Sequence, residues 1–396
     1  MITFEEAYRR VMLYTKDFGT ETVSLMQSSN RILAESVYAD RDFPPFNRST
    51  KDGIAIQYDS FEKGIPFFKI EGVISAGMLQ QKLYDSDGCL EIMTGAVLPI
   101  QTDTIIMYED IQIKDGYATI KSTPNKGQNI HKKGEDKKKG DILIEKGIRI
   151  SPAEIGVLAS VGKAEILVKK VPKVCVISTG NELVHVSETP LPHQIRTSNV
   201  LSLQAALQSE NIIATHLHLS DDKKTIKEKL AIAVQENDVL LLSGGVSKGK
   251  FDFIPEVMDE LGVDKIFHKV LQRPGKPLWF GRNEKLQTVI FSFPGNPVST
   301  FANYHIYFLP WLHNSLGVEN ESEFVILDDD ITNLTTLTLF IHVKTRWYNG
   351  TLFANIIANN GSGDLTSLTN SDGFICLPPQ EIPYYKGLLV PFIRSK

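Results

Sequence analysis

Val174-Cys175-Val176-Ile177-Ser178-Thr179-Gly180-Asn181-Glu182 is an apolar run that stops in a polar turn containing glycine. The form recurs at Val239-Leu240-Leu241-Leu242-Ser243-Gly244-Gly245 and at Phe291-Ser292-Phe293-Pro294-Gly295-Asn296-Pro297. Short apolar runs ended by glycine read as parallel strands buried on both faces. Helix-like patterns follow at 201–207 and 298–312, so strands and helices alternate. In such sheets ligands bind where strand C-termini meet helix N-termini, and backbone N–H groups there accept anions. A single glycine loop could be no more than a tight turn. Three in one segment, with Glu182 and Asp252 beside them, point to a phosphate-handling site built from Thr179, Gly180, Ser243, Gly244, Gly245, Pro294, Gly295 and Asn296.

Working outward, Pro172 marks a boundary, and 172–316 reads as a doubly wound α/β domain. Upstream, 1–171 reads as a helix-and-strand layer carrying a β-rich insertion over about 46–130. Thr3 and Glu6 form a capping-box pattern before an amphipathic helix over 4–16. A strand is expected at 35–39, and short β-patterned runs at 67–73, 89–93, 104–108 and 117–121. A helix over 152–161 returns the chain to the first layer. Lys137-Lys138-Lys139 reads as a solvated turn. Downstream, 317–396 turns strictly β-patterned from about 323, with an alternating run at 337–343 and further runs at 352–357, 373–377 and 388–393, and reads as a small antiparallel β-barrel. The fold class is therefore multi-domain α/β.

With 396 residues, several domains are expected. A net charge of −5 argues against a general nucleic-acid binder. Cys89, Cys175 and Cys376 are far apart, which speaks against zinc or a disulfide framework and for a reducing compartment. No apolar run approaches the ~20 residues that cross a bilayer, and the N-terminus shows no basic-then-apolar signal. A cytoplasmic protein without membrane partners is expected.

Glu182 follows a strand end, Asp221-Asp222 follows the strand-like run 215–219, and Asp252 lies seven residues past Gly245. Carboxylates gathered beside a phosphate cradle suit Mg²⁺, which uses one or two of them together with substrate oxygens. Asp221 or Asp222 is equally suited to capping the next helix. Lys269, Arg273 and Lys276 flank Pro274-Gly275 and Pro277, a frame that holds cations in place for a polyanion. Lys248 and Lys250 add charge near Gly249. Asn296-Pro297 reads as an N-cap and first helical residue.

Together these segments resemble the molybdenum insertase family, molybdopterin molybdenumtransferase of the MoeA type, to which the C-terminal part of gephyrin is similar. The matching stretches are 43–55 (FPPFNRSTKDGIA), 92–96 (IMTGA), Gly134-Glu135-Asp136, 178–183 (STGNEL), Asp221-Asp222, 243–247 (SGGVS), 273–277 (RPGKP) and 294–299 (PGNPVS). Ile54 stands where the family usually has an aromatic residue, and Arg48 and Lys51 depart from its usual residues there. Arg273 replaces a frequent lysine, which changes donor geometry, and His268 stands where some members have tryptophan. The resemblance implies insertion of molybdenum from molybdate into adenylylated molybdopterin, with Mg²⁺-dependent release of AMP. It implies an elongated homodimer whose sites combine one subunit's central domain with its partner's N-terminal lobe. By the same resemblance Glu182, Asp221, Asp252, Asp52 and Asp136 match catalytic acids, with Glu182 and Asp221 also expected on the metal. Thr94, Lys269, Arg273, Lys276 and Ser362 match substrate-binding positions. Expected partners include the molybdopterin adenylyltransferase and other proteins of the cofactor pathway. Two other readings are an adenylyltransferase on the same α/β domain and a non-enzymatic scaffold for partner peptides.

Overall fold

A computed structural model describes residues 1–246, 253–358 and 360–396. Its centre is a six-stranded sheet in the order Thr215–Leu219, Val174–Thr179, Val239–Ser243, Thr288–Phe293, Trp279–Asn283, Val263–His268. The first four strands are parallel, and Trp279–Asn283 runs antiparallel to both of its neighbours, so Val263–His268 regains the direction of the first four. The alternation in Val174-Cys175-Val176-Ile177 decides which core each residue joins. Val174 and Val176 pack with helix Asn199–Ser209, whereas Cys175 and Ile177 pack with helices Lys223–Glu236 and Ile254–Glu260. Helices thus cover both faces, as a doubly wound sheet requires. All three cysteines are buried and free of disulfides, and burial pushes the Cys89 and Cys376 thiols up to about 12.

The pattern over 298–312 becomes three pieces: helix Pro297–Asn303, a π-helical turn Tyr304–Phe308 and helix Leu309–Ser315. Pro310 has no N–H to continue the regular ladder, and a π-bulge is one way a helix absorbs such a gap. The first helix is also shorter than its pattern, ending at Met12. Beyond it Trp311 Nε1 donates to the Tyr14 carbonyl and Lys16 N–H donates to Ser315 Oγ, so tertiary partners take over. Its capping box is half formed. Thr3 Oγ1 accepts from Glu6 N–H at 3.3 Å, but the Glu6 carboxylate turns to Arg9 and Arg10. Ala7 and Val11 of this helix are buried in the central core.

The rest of the N-terminal part has its own cores. Thr20–Ser24 pairs with Glu165–Lys169, and Val37–Tyr38 with Ile142–Ile144. Helix Pro152–Ser160, with a complete capping box from Ser151 and Glu154, buries Leu158 between these pairs. The insertion is a six-stranded sheet around Gly53–Ile56, whose Ile54 and Ala55 face opposite cores.

At the C-terminus, Glu323–Leu327, Thr338–Tyr348, Thr351–Ile356, Gly373–Leu377 and Leu389–Arg394 close into a five-stranded barrel. One pair, Glu323–Leu327 with Thr351–Ile356, is parallel in an otherwise antiparallel barrel. Gln272–Arg273 of the basic loop adds to its edge, pairing in parallel with Thr338 and Leu339. That pairing sets the loop against the barrel. No helix among the described residues is long and apolar enough to cross a membrane.

Candidate active site

The strand that starts at Val174 has the Thr215 strand on one side and the Val239 strand on the other. The loops leaving these strand ends therefore diverge, and a crevice opens between them. A cavity of about 590 Å³ lies there, lined by Thr179, Gly180, Glu182, Asp221, Ser243, Gly244, Gly245, Gly295 and Asn296. Gly180 has φ +123°, and a Cβ there would lie 2.3 Å from Glu182 Oε2, so glycine makes room for that carboxylate. A Cβ on Gly244 would lie 2.5 Å from Thr179 Oγ1, so the first two loops touch without side chains between them.

Asp222 is the cap of its helix. Its carboxylate accepts from Thr225 N–H at 2.8 Å, which holds it below the usual carboxylate range. Asp221 is left to line the cavity, where its backbone N–H donates to Asn181 Oδ1 at 3.2 Å. Neither the Glu182 nor the Asp221 carboxylate has a protein partner among the described residues. Asp252, Lys248, Gly249 and Lys250 lie outside the described residues.

The basic loop does not share this cavity. Arg273, Lys276, Pro294, Asn296, Ser299, His342 and Ser362 line a neighbouring one of about 490 Å³, which Asn296 alone of the carried-over residues shares with the first. Asn296 is placed as an N-cap but makes no capping bond; its Nδ2 donates to Ser362 Oγ at 2.8 Å, across to the barrel. The helix end is satisfied instead by the Ser362 carbonyl, which accepts from Val298 N–H at 3.1 Å. Arg273 and Lys276 are exposed and form no ion pair among the described residues. Lys269 lines neither cavity. Its backbone has φ +70°, held by the bond from its N–H to the Leu278 carbonyl, so it shapes the loop rather than the cavity walls.

The N-terminal candidates form a separate cluster. Asp52 accepts from Thr94 N–H at 2.6 Å and Thr94 Oγ1 at 2.8 Å, which lowers its pKa. Asp136 meets His131 Nε2 at 2.9 Å, and His131 Nδ1 in turn lies 3.2 Å from Arg48. Asp52, Thr94 and Asp136 line neither central cavity. Several residues escaped the sequence reading. Asn199 Nδ2 ties Ser243 Oγ (2.8 Å) to the Gly295 carbonyl (2.7 Å), joining two loops. Arg196 brings a cation to the acidic cavity. Buried Gln272 donates to the Pro274 carbonyl and to Asn303 Oδ1, and accepts from the Tyr307 hydroxyl, which stiffens the basic loop from below. The signal that could have found Asn303 is a lone amide in the apolar run 298–312.

Comparison with known proteins gives these cavities a family. A profile described as "MoeA N-terminal region (domain I and II)" matches residues 2–162, and one described as "Probable molybdopterin binding domain" matches 175–314. A Synechocystis protein named molybdopterin molybdenumtransferase is 37% identical over 396 residues, spanning 99% of both chains. The chain belongs to the molybdopterin molybdenumtransferase family. A Bacillus subtilis protein of the same name is 32% identical, over 98% of this chain and 93% of its own. A crystal structure described as the molybdopterin biosynthesis MoeA protein of Pyrococcus horikoshii superposes with a TM-score of 0.82 at 27% identity, over all of both chains. The family likeness thus includes the N-terminal lobe and the barrel, not the central sheet alone.

The acidic cavity fits a magnesium ion in one respect. It offers two carboxylates without protein partners, and Mg²⁺ is held by one or two carboxylates completed by water and substrate phosphates. No group of three or more His, Cys, Asp or Glu side chains among the described residues forms a self-sufficient metal cage. Any ion there would rely on substrate oxygens.

Proposed function

We infer that this protein transfers molybdenum into molybdopterin in the synthesis of the molybdenum cofactor. What carries the reading is the unbroken similarity, over 99% of the chain, to a protein named molybdopterin molybdenumtransferase. An adenylyltransferase reading would need only the 175–314 segment. A pure scaffold would have no use for two partnerless carboxylates beside glycine loops.

We propose further that the substrate is adenylylated molybdopterin and that AMP is released. The acidic cavity takes the phosphate-bearing part: Ser243, Gly244 and Gly245 cradle it, and Glu182 and Asp221 are the residues that would hold Mg²⁺. Bound there, the ion would offset phosphate charge and polarise the phosphorus under attack. The basic cavity takes molybdate. Arg273 and Lys276 have no carboxylate to satisfy them among the described residues, and a tetrahedral dianion would supply the missing charge. Asn296 and its bond to Ser362 form the wall between the two cavities, so metal donor and pterin acceptor would sit side by side. Asp52, Thr94 and Asp136 serve the partner subunit's central cavity in a symmetric dimer.

The test is direct. Purified protein is incubated with adenylylated molybdopterin, molybdate and Mg²⁺, and in parallel with ATP and molybdopterin. AMP release and a molybdenum-loaded pterin in the first mixture are expected. Adenylylation in the second, with no release in the first, would overturn the reading. Full-rate AMP release in excess chelator would remove the metal from it.

A further inference from the structure

One wall of the basic cavity contains a side chain with no evident structural task. His342, on the barrel strand Thr338–Tyr348, lines the cavity and is only 3% exposed. Its Nδ1 is buried without a hydrogen-bond partner among the described residues. The ring stands edge-on to Phe374, with centroids 4.8 Å apart at 76°. A buried polar atom left unpaired is unfavourable, and native structures rarely tolerate one without a use. A ligand that supplied the partner would recover the loss.

The charges around the ring define what that ligand is. From the basic loop, Arg273 and Lys276 line the same cavity. From the turn after 360, Asp364 is the carboxylate among the described residues whose charge acts on the ring, and its oxygens are engaged by Thr366 Oγ1 (2.7 Å), Asn360 N–H (3.1 Å) and Ser367 N–H (3.3 Å). On its own strand, Lys344 is paired with Asp372 at 2.6 Å. On the neighbouring strand, the Cys376 thiol is pushed up to about 12 and is neutral. Burial holds the imidazole below its ordinary range. The ring is therefore neutral in a cavity with two unpaired cations. A bound dianion reverses the local sign and favours the charged imidazolium.

We propose that His342 contacts the oxyanion substrate and takes up a proton as molybdate binds, so that capture strengthens as pH falls and release is favoured as it rises. The proposal rests on the reading of the basic cavity as the molybdate site. Among the described residues lining that cavity His342 is the one histidine, and imidazole is the side chain whose charge ordinarily changes in the neutral range.

The test is calorimetric titration of the intact protein with molybdate between pH 6 and 8, in two buffers of different ionisation enthalpy. Wild type is expected to bind up to about tenfold more weakly per pH unit where one proton is coupled, with net proton uptake on binding. His342→Asn should bind more weakly and lose both effects. His342→Arg should bind at all pH values without proton uptake, and it covers the case that the asparagine variant folds poorly. Molybdate binding by wild type without proton uptake, weakened by Lys276→Ala, would sink the proposal and leave the cavity reading intact. Binding that is indifferent to Lys276→Ala and Arg273→Ala would sink the cavity reading itself.

Discussion

Asp221 and Asp222 are adjacent in the chain and do different work. Asp222 caps the helix Lys223–Glu236 through Thr225, whereas Asp221 lines the acidic cavity with no carboxylate partner among the described residues. Asp222→Ala is expected to lower the urea midpoint and leave AMP release near wild type. Asp221→Ala should do the reverse, with an unchanged melting temperature and at least a tenfold loss of turnover; paired denaturation and activity assays separate them. His305 makes a different point. It is 7% exposed, neither ring nitrogen has a partner, and burial pushes its pKa down to about 4. The folded state therefore binds fewer protons than the unfolded state, in which the group titrates near 6.5. Its contribution is fully present above about pH 6.5 and is lost progressively as pH falls towards 4. At pH 5 the loss attributable to this group is roughly 2 kcal/mol. His305→Phe should remove that part of the acid sensitivity, seen as a smaller difference between urea titrations at pH 7.5 and pH 5.

At the scale of elements, the basic loop is held from below by the buried end of a helix whose first turn lines the cavities. Asn303 is fully buried at the end of Pro297–Asn303; its Oδ1 accepts from Gln272 and its Nδ2 donates to the Gly275 carbonyl at 3.3 Å. Gly275 fits only because it lacks a Cβ, which would lie 2.6 Å from Asn303 Oδ1. Asn303→Ala removes two bonds: one of those made by Gln272, which keeps the Pro274 carbonyl and the Tyr307 hydroxyl, and one of those to the Gly275 carbonyl, which keeps the Leu278 N–H. It is expected to cost about 2 kcal/mol in denaturant unfolding and to weaken molybdate binding by loosening Arg273 and Lys276. Tight molybdate binding by a destabilised variant would mean that the loop holds its shape without this helix.

At the scale of the whole molecule, the proposed dimer is what would give the N-terminal acids a cavity to serve. The Asp52–Thr94 pair and the Asp136–His131 pair lie outside both central cavities of their own chain. In a two-fold dimer each such cluster can complete the partner's cavity, giving two identical composite sites. Asp52→Ala and Glu182→Ala homodimers are each expected to be poorly active. Mixed and re-paired, they should recover activity, up to about half the wild-type sites per heterodimer. Heterodimers confirmed by native mass measurement but still inactive would place both residues in one subunit's site.

Much of this was legible in the chain itself. Apolar runs ended by glycine encode parallel strands because burial on both faces demands them, and the β pattern after about 323, with its alternation at 337–343, encodes strands buried on one face. The eight motif segments from 43–55 to 294–299, taken together in their order along the chain, carried the resemblance to the family. What only tertiary structure decided are the partners that local pattern cannot supply. The sheet register brought Asn199 to Ser243 and Gly295, 44 and 96 positions away. The pairing of Gln272–Arg273 with the barrel drew the basic loop away from Glu182 and Asp221, so that one expected site became two adjoining cavities. In Leu339-Phe340-Ile341-His342-Val343 nothing local says that the histidine is buried against a cationic cavity, because its environment comes from a loop some 70 residues earlier in the chain. Periodicity selects strands and helices; contacts between distant segments assign their polar side chains.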